Sequence, residues 1–212
     1  MKVYAHEFCL EGNYFRQGDS ANFTIGQGDT IITPLQLARA YAALSNGGKL
    51  YTPTVGKAIV SEDGTVLQTI KPKLERKVAV SKKALDYVNN ALLGTPKAGT
   101  LAWKFTDFPL DKIHVRGKTG SAEVNNKQST SWVATYDKNY VVVMMITQGG
   151  TGSGTSGEPV RHIWDALYGV SDSGSVKSSK AAIAGTTPPK DLPTFTQDGA
   201  ILPPASTGKV NN

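Results

Sequence analysis

The spacing of apolar and polar positions divides the chain into a first part of helices and short hairpins and a second part of strands. Leu37, Tyr41 and Leu44 fall at i, i+4 and i+7, one face of a helix. Thr33 suits the N-cap of that helix, Pro34 its first position, and Gln36 completes a capping box. Asn46-Gly47-Gly48 stops it, because glycine enters the left-handed region at little cost. Lys57-Ala58-Ile59-Val60 and Thr65-Val66-Leu67 flank a turn at Glu62-Asp63-Gly64 and predict a hairpin. Ser81 is placed to cap a second helix, with Leu85, Val88 and Leu92 on one face and Gly94 as its end.

From Gly117 the pattern becomes that of strands. Gly117 to Val124 predicts one and Trp132 to Tyr136 the next, and Asp137-Lys138-Asn139 turns into the run Tyr140 to Ile146. That run is apolar without alternation and reads as a strand buried on both faces at the middle of a sheet. The short connections favour antiparallel pairing. Val160, Ile163, Trp164 and Leu167 share one face of a final helix that stops at Gly169. The predicted fold class is α+β, a mostly antiparallel sheet flanked by helices.

Residues 171–212 have a different composition: 20 of the 42 are Ser, Thr, Gly or Pro, and Phe195 is the one aromatic. Such a stretch buries too little apolar surface to offset its ordering entropy and is expected to be a disordered tail, stiffened at Pro188-Pro189 and Pro203-Pro204. Residues 1–170 are then the folded body. The longest apolar run, Tyr140 to Ile146, falls well short of the about 18 residues of a spanning helix. Met1 to Glu7 shows no apolar signal-peptide run, so neither anchor nor secretion signal is expected in this chain.

At 212 residues, 39% hydrophobic and 19% charged, the chain has the size of one domain with a core. The net charge of +6 reads as dispersed surface lysine. With no aromatic-interleaved basic stripe and no helix-turn-helix pattern, a nucleic-acid partner is not expected. A single cysteine, Cys9, excludes an intrachain disulfide and a Cys-rich zinc site. His6, His114 and His162 lack ligand spacing, so no metal or cofactor is expected. His114 reads as structural, Arg116 as a solvated strand-edge charge, and Trp103, Trp132 and Trp164 as core or groove aromatics.

Two motifs are candidates for chemistry. Gly152-Ser153-Gly154-Thr155-Ser156-Gly157 is a literal G-x-G-x-x-G between a strand and a helix, but no second strand or acidic residue follows, so it reads as a glycine loop joining the two elements. Lys118-Thr119-Gly120-Ser121 opens a strand. The Lys118 ammonium supplies positive charge for an anionic group. Thr119 and Ser121 alternate onto one face as two hydroxyls, and Gly120 allows close backbone approach. A backbone N–H on such an edge is suited to an oxyanion.

Several segments in order carry a family resemblance: Gly26-Gln27-Gly28 with Thr33-Pro34-Leu35-Gln36-Leu37-Ala38, Phe108 to Ile113 leading into Gly117 to Val124, Thr130-Ser131-Trp132, and Ser156-Gly157-Glu158-Pro159-Val160-Arg161. From about Gly18 to Gly169 the chain resembles the class B penicillin-binding proteins of the elongation type, the penicillin-binding protein 2 group. The resemblance implies the C-terminal part of a penicillin-binding, β-lactamase-like transpeptidase fold and a D,D-transpeptidase of peptidoglycan cross-linking that works through a serine acyl-enzyme. It implies peptidoglycan stem peptides, β-lactams and the cell-wall elongation machinery as partners, and the extracytoplasmic face of the cell membrane as location. By the family's third motif, K-T-G, Lys118 gives electrostatic support, Thr119 and Ser121 bind a carboxylate beside Gly120, and the N–H of Ser121 forms half of the oxyanion hole.

The family's S-x-x-K nucleophile motif is expected to be absent from this chain, with Thr187-Pro188-Pro189-Lys190 its nearest imitation. Ser20-Ala21-Asn22 fits the second motif, S-x-N, literally but reads as loop. Nucleophile, second motif, pedestal and anchor are expected upstream of Met1, and the chain alone is expected not to acylate. The alternative is a non-catalytic module that binds peptidoglycan peptides or a partner with a degenerate transpeptidase fold.

Overall fold

The computed structural model describes residues 14–28, 30–171 and 173–176. Among the described residues the first element is helix α1 (Gln17–Thr24), followed by α2 (Pro34–Ser45). Thr33 caps α2 as its sequence requires: its hydroxyl accepts the Gln36 N–H at 3.2 Å, and the Gln36 side chain accepts the Thr33 N–H at 2.8 Å. Strands β1 (Lys49–Tyr51), β2 (Ala58–Val60), β3 (Val66–Thr69) and β4 (Leu74–Lys77) follow. β2 and β3 form the expected antiparallel hairpin, while β1 pairs with β4 around it.

Helix α3 (Lys82–Leu92) is capped by Ser81, whose hydroxyl accepts the Ala84 N–H. It ends before Gly94, which instead opens the short helix α4 (Gly94–Lys97). A 3-10 turn at Ala102–Lys104 leads to the main sheet of β5 (Arg116–Val124), β6 (Lys127–Tyr136) and β7 (Val141–Ile146), antiparallel and in that spatial order. A π-helical turn, Gly152–Ser156, winds directly into helix α5 (Gly157–Tyr168).

The order corrects one expectation. β6, not β7, is the middle strand, and β7 lies at an edge among the described residues. Its unalternating apolar run has another cause, cover on both faces. Thr135 and Tyr136 are neighbours on β6 and so point to opposite faces. The Trp164 indole of α5 donates to the Thr135 hydroxyl at 2.9 Å, while Tyr136 meets Tyr41 of α2 with ring centroids 5.6 Å apart. α2 and α5 therefore sandwich the sheet, as the α+β reading requires.

The buried core lies on the α5 side: Leu101, Phe105, Phe108, Val115, Val133, Val160 and Trp164 form it with Ile113 and Tyr168. The Tyr168 hydroxyl donates to the buried Asp137 carboxylate, whose other oxygen accepts the Asn139 and Tyr140 N–H groups. Val170 bridges to Val176, and both pack against this core, so the body continues past Gly169. Beyond Val176 the stretch read as a tail lies outside the described residues, as do Cys9 and His6.

One further reading changes. Ser20 and Asn22 lie on α1, not in a loop. Asp19 helps to account for the difference: its carboxylate accepts the Arg16 N–H at 2.8 Å and so holds the start of the helix. Of the tryptophans read as core or groove aromatics, Trp164 is in the core, while Trp103 is 58% exposed, with the Lys104 ammonium 4.1 Å from its ring centre.

Candidate functional site

Lys118, Thr119, Gly120 and Ser121 lie on β5, one rim of the main sheet. Pairing fixes their faces. Thr119 stands opposite Val133 and Ser121 opposite Ser131, on the α5 face with Gly117 and Thr135. Lys118 and Gly120, opposite Ala134 and Trp132, are on the α2 face with Arg116. The two hydroxyls do share a side, as the alternation predicts.

Both hydroxyls are held. The Thr119 hydroxyl pairs with the Thr100 hydroxyl at 2.8 Å, and the Ser121 hydroxyl accepts the Gly152 N–H at 3.0 Å. Each oxygen keeps a further lone pair or proton for a ligand. Thr100 and Gly152 were not legible as site residues. Each meets the motif across 19 or more positions of chain, and no local pattern marks such a meeting.

The π turn that supplies Gly152 is pinned by two fully buried serines. The Ser131 hydroxyl donates to the Thr151 carbonyl at 2.9 Å and pairs with the Ser156 hydroxyl at 2.7 Å. The Ser156 N–H returns to Ser131 at 3.2 Å. Gly152 sits so close to the sheet that a Cβ there would stand 2.5 Å from the Gly120 carbonyl and 2.7 Å from that of Trp132. The G-x-G-x-x-G stretch is thus a wound and packed turn, with Gly152 set by close approach. It is not the plain linking loop the sequence implied.

The outer rim of β5 is the chemically open part. In an antiparallel strand the N–H and C=O of one residue point to the same side. The Ser121 carbonyl and the Glu123 N–H point away from β6, since Gln27 holds both: its Nε2 donates to Ser121 at 3.0 Å and its Oε1 accepts from Glu123 at 3.2 Å. The Ser121 N–H therefore points out of the same rim. The exposed Lys118 ammonium folds along it and donates to the Thr119 carbonyl at 2.8 Å. The rim thus offers one ammonium, two hydroxyls and an outward N–H within four residues. Such a set suits a carboxylate next to a developing oxyanion.

Arg116 does not join this set. Its guanidinium donates to the carbonyls of Asn89 and His114, at 3.0 and 3.3 Å, and so ties β5 to α3 instead of lying free in solvent. Beside it the Tyr136 hydroxyl donates to Asn89, and burial, partly offset by the Arg116 charge, pushes that phenol up to about 12. His114 is exposed. Lys104 bridges to Glu158 at 2.7 Å, and this bond holds the Glu158 carboxyl below its usual range. The bridge joins the 3-10 turn to α5 behind the site.

One sequence expectation is corrected by the sequence itself. Ser206-Thr207-Gly208-Lys209 has the S-x-x-K spacing, so the motif is not absent from the chain. It follows Lys118 in chain order, where the resemblance places the nucleophile before it, and it lies outside the described residues. Among the described residues no lysine has a serine three positions earlier.

Among relatives, the chain is 32% identical over 171 residues to the peptidoglycan D,D-transpeptidase MrdA of Haemophilus influenzae, covering 68% of this chain and 25% of that protein. It is 31% identical over 107 residues to stage V sporulation protein D of Bacillus subtilis, covering 50% of this chain and 16% of that one. The chain thus spans about a quarter or less of the length of these relatives. Among solved structures, PBP2 of Pseudomonas aeruginosa superposes with a TM-score of 0.64 at 24% identity, over 81% of this chain and 38% of that one. The imipenem acyl-enzyme of penicillin-binding protein A from Mycobacterium tuberculosis superposes at 0.58 and 21% identity, over 69% and 33%. Residues 10–165 match the penicillin-binding protein transpeptidase domain, and the chain belongs to that family.

Proposed function

We propose that this chain forms the K-T-G wall of a D,D-transpeptidase site that takes peptidoglycan stem peptides and β-lactams. The observation that carries the reading is the rim of β5, which presents the Ser121 N–H and the Lys118 ammonium, with the Thr119 and Ser121 hydroxyls on its α5 face. In this reading Lys118 supports the charge of the site, Thr119 and Ser121 hold the ligand carboxylate beside Gly120, and the Ser121 N–H is one oxyanion donor. The similarity to MrdA and to a β-lactam acyl-enzyme structure supports the ligand class. A place at the extracytoplasmic face, with the elongation machinery as partner, goes with the same reading.

The acyl-enzyme chemistry uses a serine three residues before its lysine base, a spacing the described residues do not contain. The 212-residue chain alone is therefore expected to bind the peptide without forming an ester. An acylated tripeptide ending in D-alanyl-D-alanine should shift the backbone amide signals of Thr119 and Ser121, and Lys118→Ala should weaken that binding about tenfold. Intact mass after incubation with benzylpenicillin should show no adduct. An adduct lost in Ser206→Ala would give the catalytic serine a different origin, and shifts away from β5 would defeat the assignment of the site.

A further inference from the structure

The Gly26-Gln27-Gly28 turn reaches across more than 90 positions of chain to place one side chain on the motif strand. Gly26 and Gly28 have φ of 78° and 91°, a region glycine enters freely, and this sharp turn lets the Gln27 side chain project onto the rim of β5. Its carboxamide donates to the Ser121 carbonyl and accepts from the Glu123 N–H, as one residue of a neighbouring strand would.

An extended peptide laid on this rim opposite Ser121 needs both groups of that residue. It accepts from the Ser121 N–H and donates to the Ser121 carbonyl, the exchange made by every hydrogen-bonded antiparallel pair. The first group is open and the second is taken. We infer that Gln27 is a specificity-determining competitor, a side-chain stand-in for peptide that an extended ligand displaces from the Ser121 carbonyl. The inference rests on the reading of the rim as a peptide site.

Displacement leaves the Glu123 N–H without its Gln27 partner, so it is unfavourable unless the ligand replaces both bonds. A ligand that ends at Ser121 replaces one and pays the loss of the other. A ligand long enough to reach Glu123 replaces both. Gln27 therefore discriminates against short peptides, and it lowers the affinity of every peptide that pairs with Ser121.

The test uses the 212-residue chain with Gln27→Ala and Gln27→Glu. Gln27 is half-buried between two exposed glycines and is not part of the buried core, so neither change removes core packing. Gln27→Glu keeps an acceptor for the Glu123 N–H but offers only oxygen to the Ser121 carbonyl. Without ligand, amide exchange at Glu123 should speed up about tenfold in Gln27→Ala while the β6 amides keep their rates. The acylated D-alanyl-D-alanine tripeptide should bind both variants about three- to tenfold more tightly than the unsubstituted chain, the range of one hydrogen bond. A peptide of the same end, lengthened by two residues, should show a smaller gain in Gln27→Ala.

Unchanged Glu123 exchange in Gln27→Ala overturns the inference at its base. Peptide binding that is equal in all three proteins, with Glu123 exchange accelerated, removes the competition and leaves the peptide site standing. No binding by any of the three at millimolar peptide removes the peptide site, and the competition with it.

Discussion

Trp164 and Leu67 are both large apolar side chains, yet one is fully buried and the other is 66% exposed. They typify two regions. Around β5–β7 and α5 the buried polar atoms are paired and the core is continuous. Between β1 and β4, Val55, Ile59, Val66, Leu67 and Leu74 are largely open. The hairpins are held by their ladders and turns, with little apolar cover. The site sits on the first kind of region, so the position of Lys118 to Ser121 follows from core packing and not from the hairpins.

The largest test of this contrast is Trp164→Ala against Leu67→Ala. Loss of the buried indole should cost about 3–5 kcal/mol, while the exposed leucine should stay within about 0.5 kcal/mol. Thermal unfolding of the two proteins checks it, and similar losses would erase the distinction. Gly152→Ala comes next. Its Cβ meets carbonyl oxygens of two strands, which cannot swing aside, and overpacking of this kind costs about 1–3 kcal/mol. The same change should shift the Ser121 amide signal, because the Gly152 N–H holds the Ser121 hydroxyl. A stable protein with an unmoved Ser121 would detach the π turn from the site.

Thr33→Ala should lower stability by about 1 kcal/mol through loss of the α2 cap, measurable by denaturant unfolding. The smallest effect is confined to the open region. Asp63 accepts from the Ser61 hydroxyl and the Thr65 N–H, and these bonds lower its carboxyl to about 2 from 3.8. The folded value lies below the unfolded one, so the turn gains stability above pH about 3.8 and loses it as pH falls through about 2. A carbon-detected titration of the Asp63 carboxyl should follow that step.

Local chemistry was legible in the sequence to the extent that it was local. Thr33 with Gln36, Ser81, the turn at Asp63 and the alternation of Thr119 and Ser121 all concern residues within a few positions, and each appears as expected. The middle and edge of the main sheet were exchanged because an apolar run reports covered faces, and α2 and α5 cover both faces of β7 whether or not a strand flanks it. That its partners meet the motif strand was not legible. Gln27, Thr100 and Gly152 reach β5 through one bond or two across long stretches of chain, and a glutamine, a threonine and a glycine carry no mark of where they will be used.

β7 has a consequence for how the chain returns to its fold. Val141 to Ile146 presents a row of outward N–H and C=O groups with no strand beside it among the described residues, on an apolar segment without charge. Once formed, that row accepts any extended segment that arrives first. Closing the fold is a first-order event, whereas capture by another chain is second-order in protein. The yield of refolding should then be set by dilution: nearly complete at low concentration, and falling as encounters between molecules overtake the folding rate.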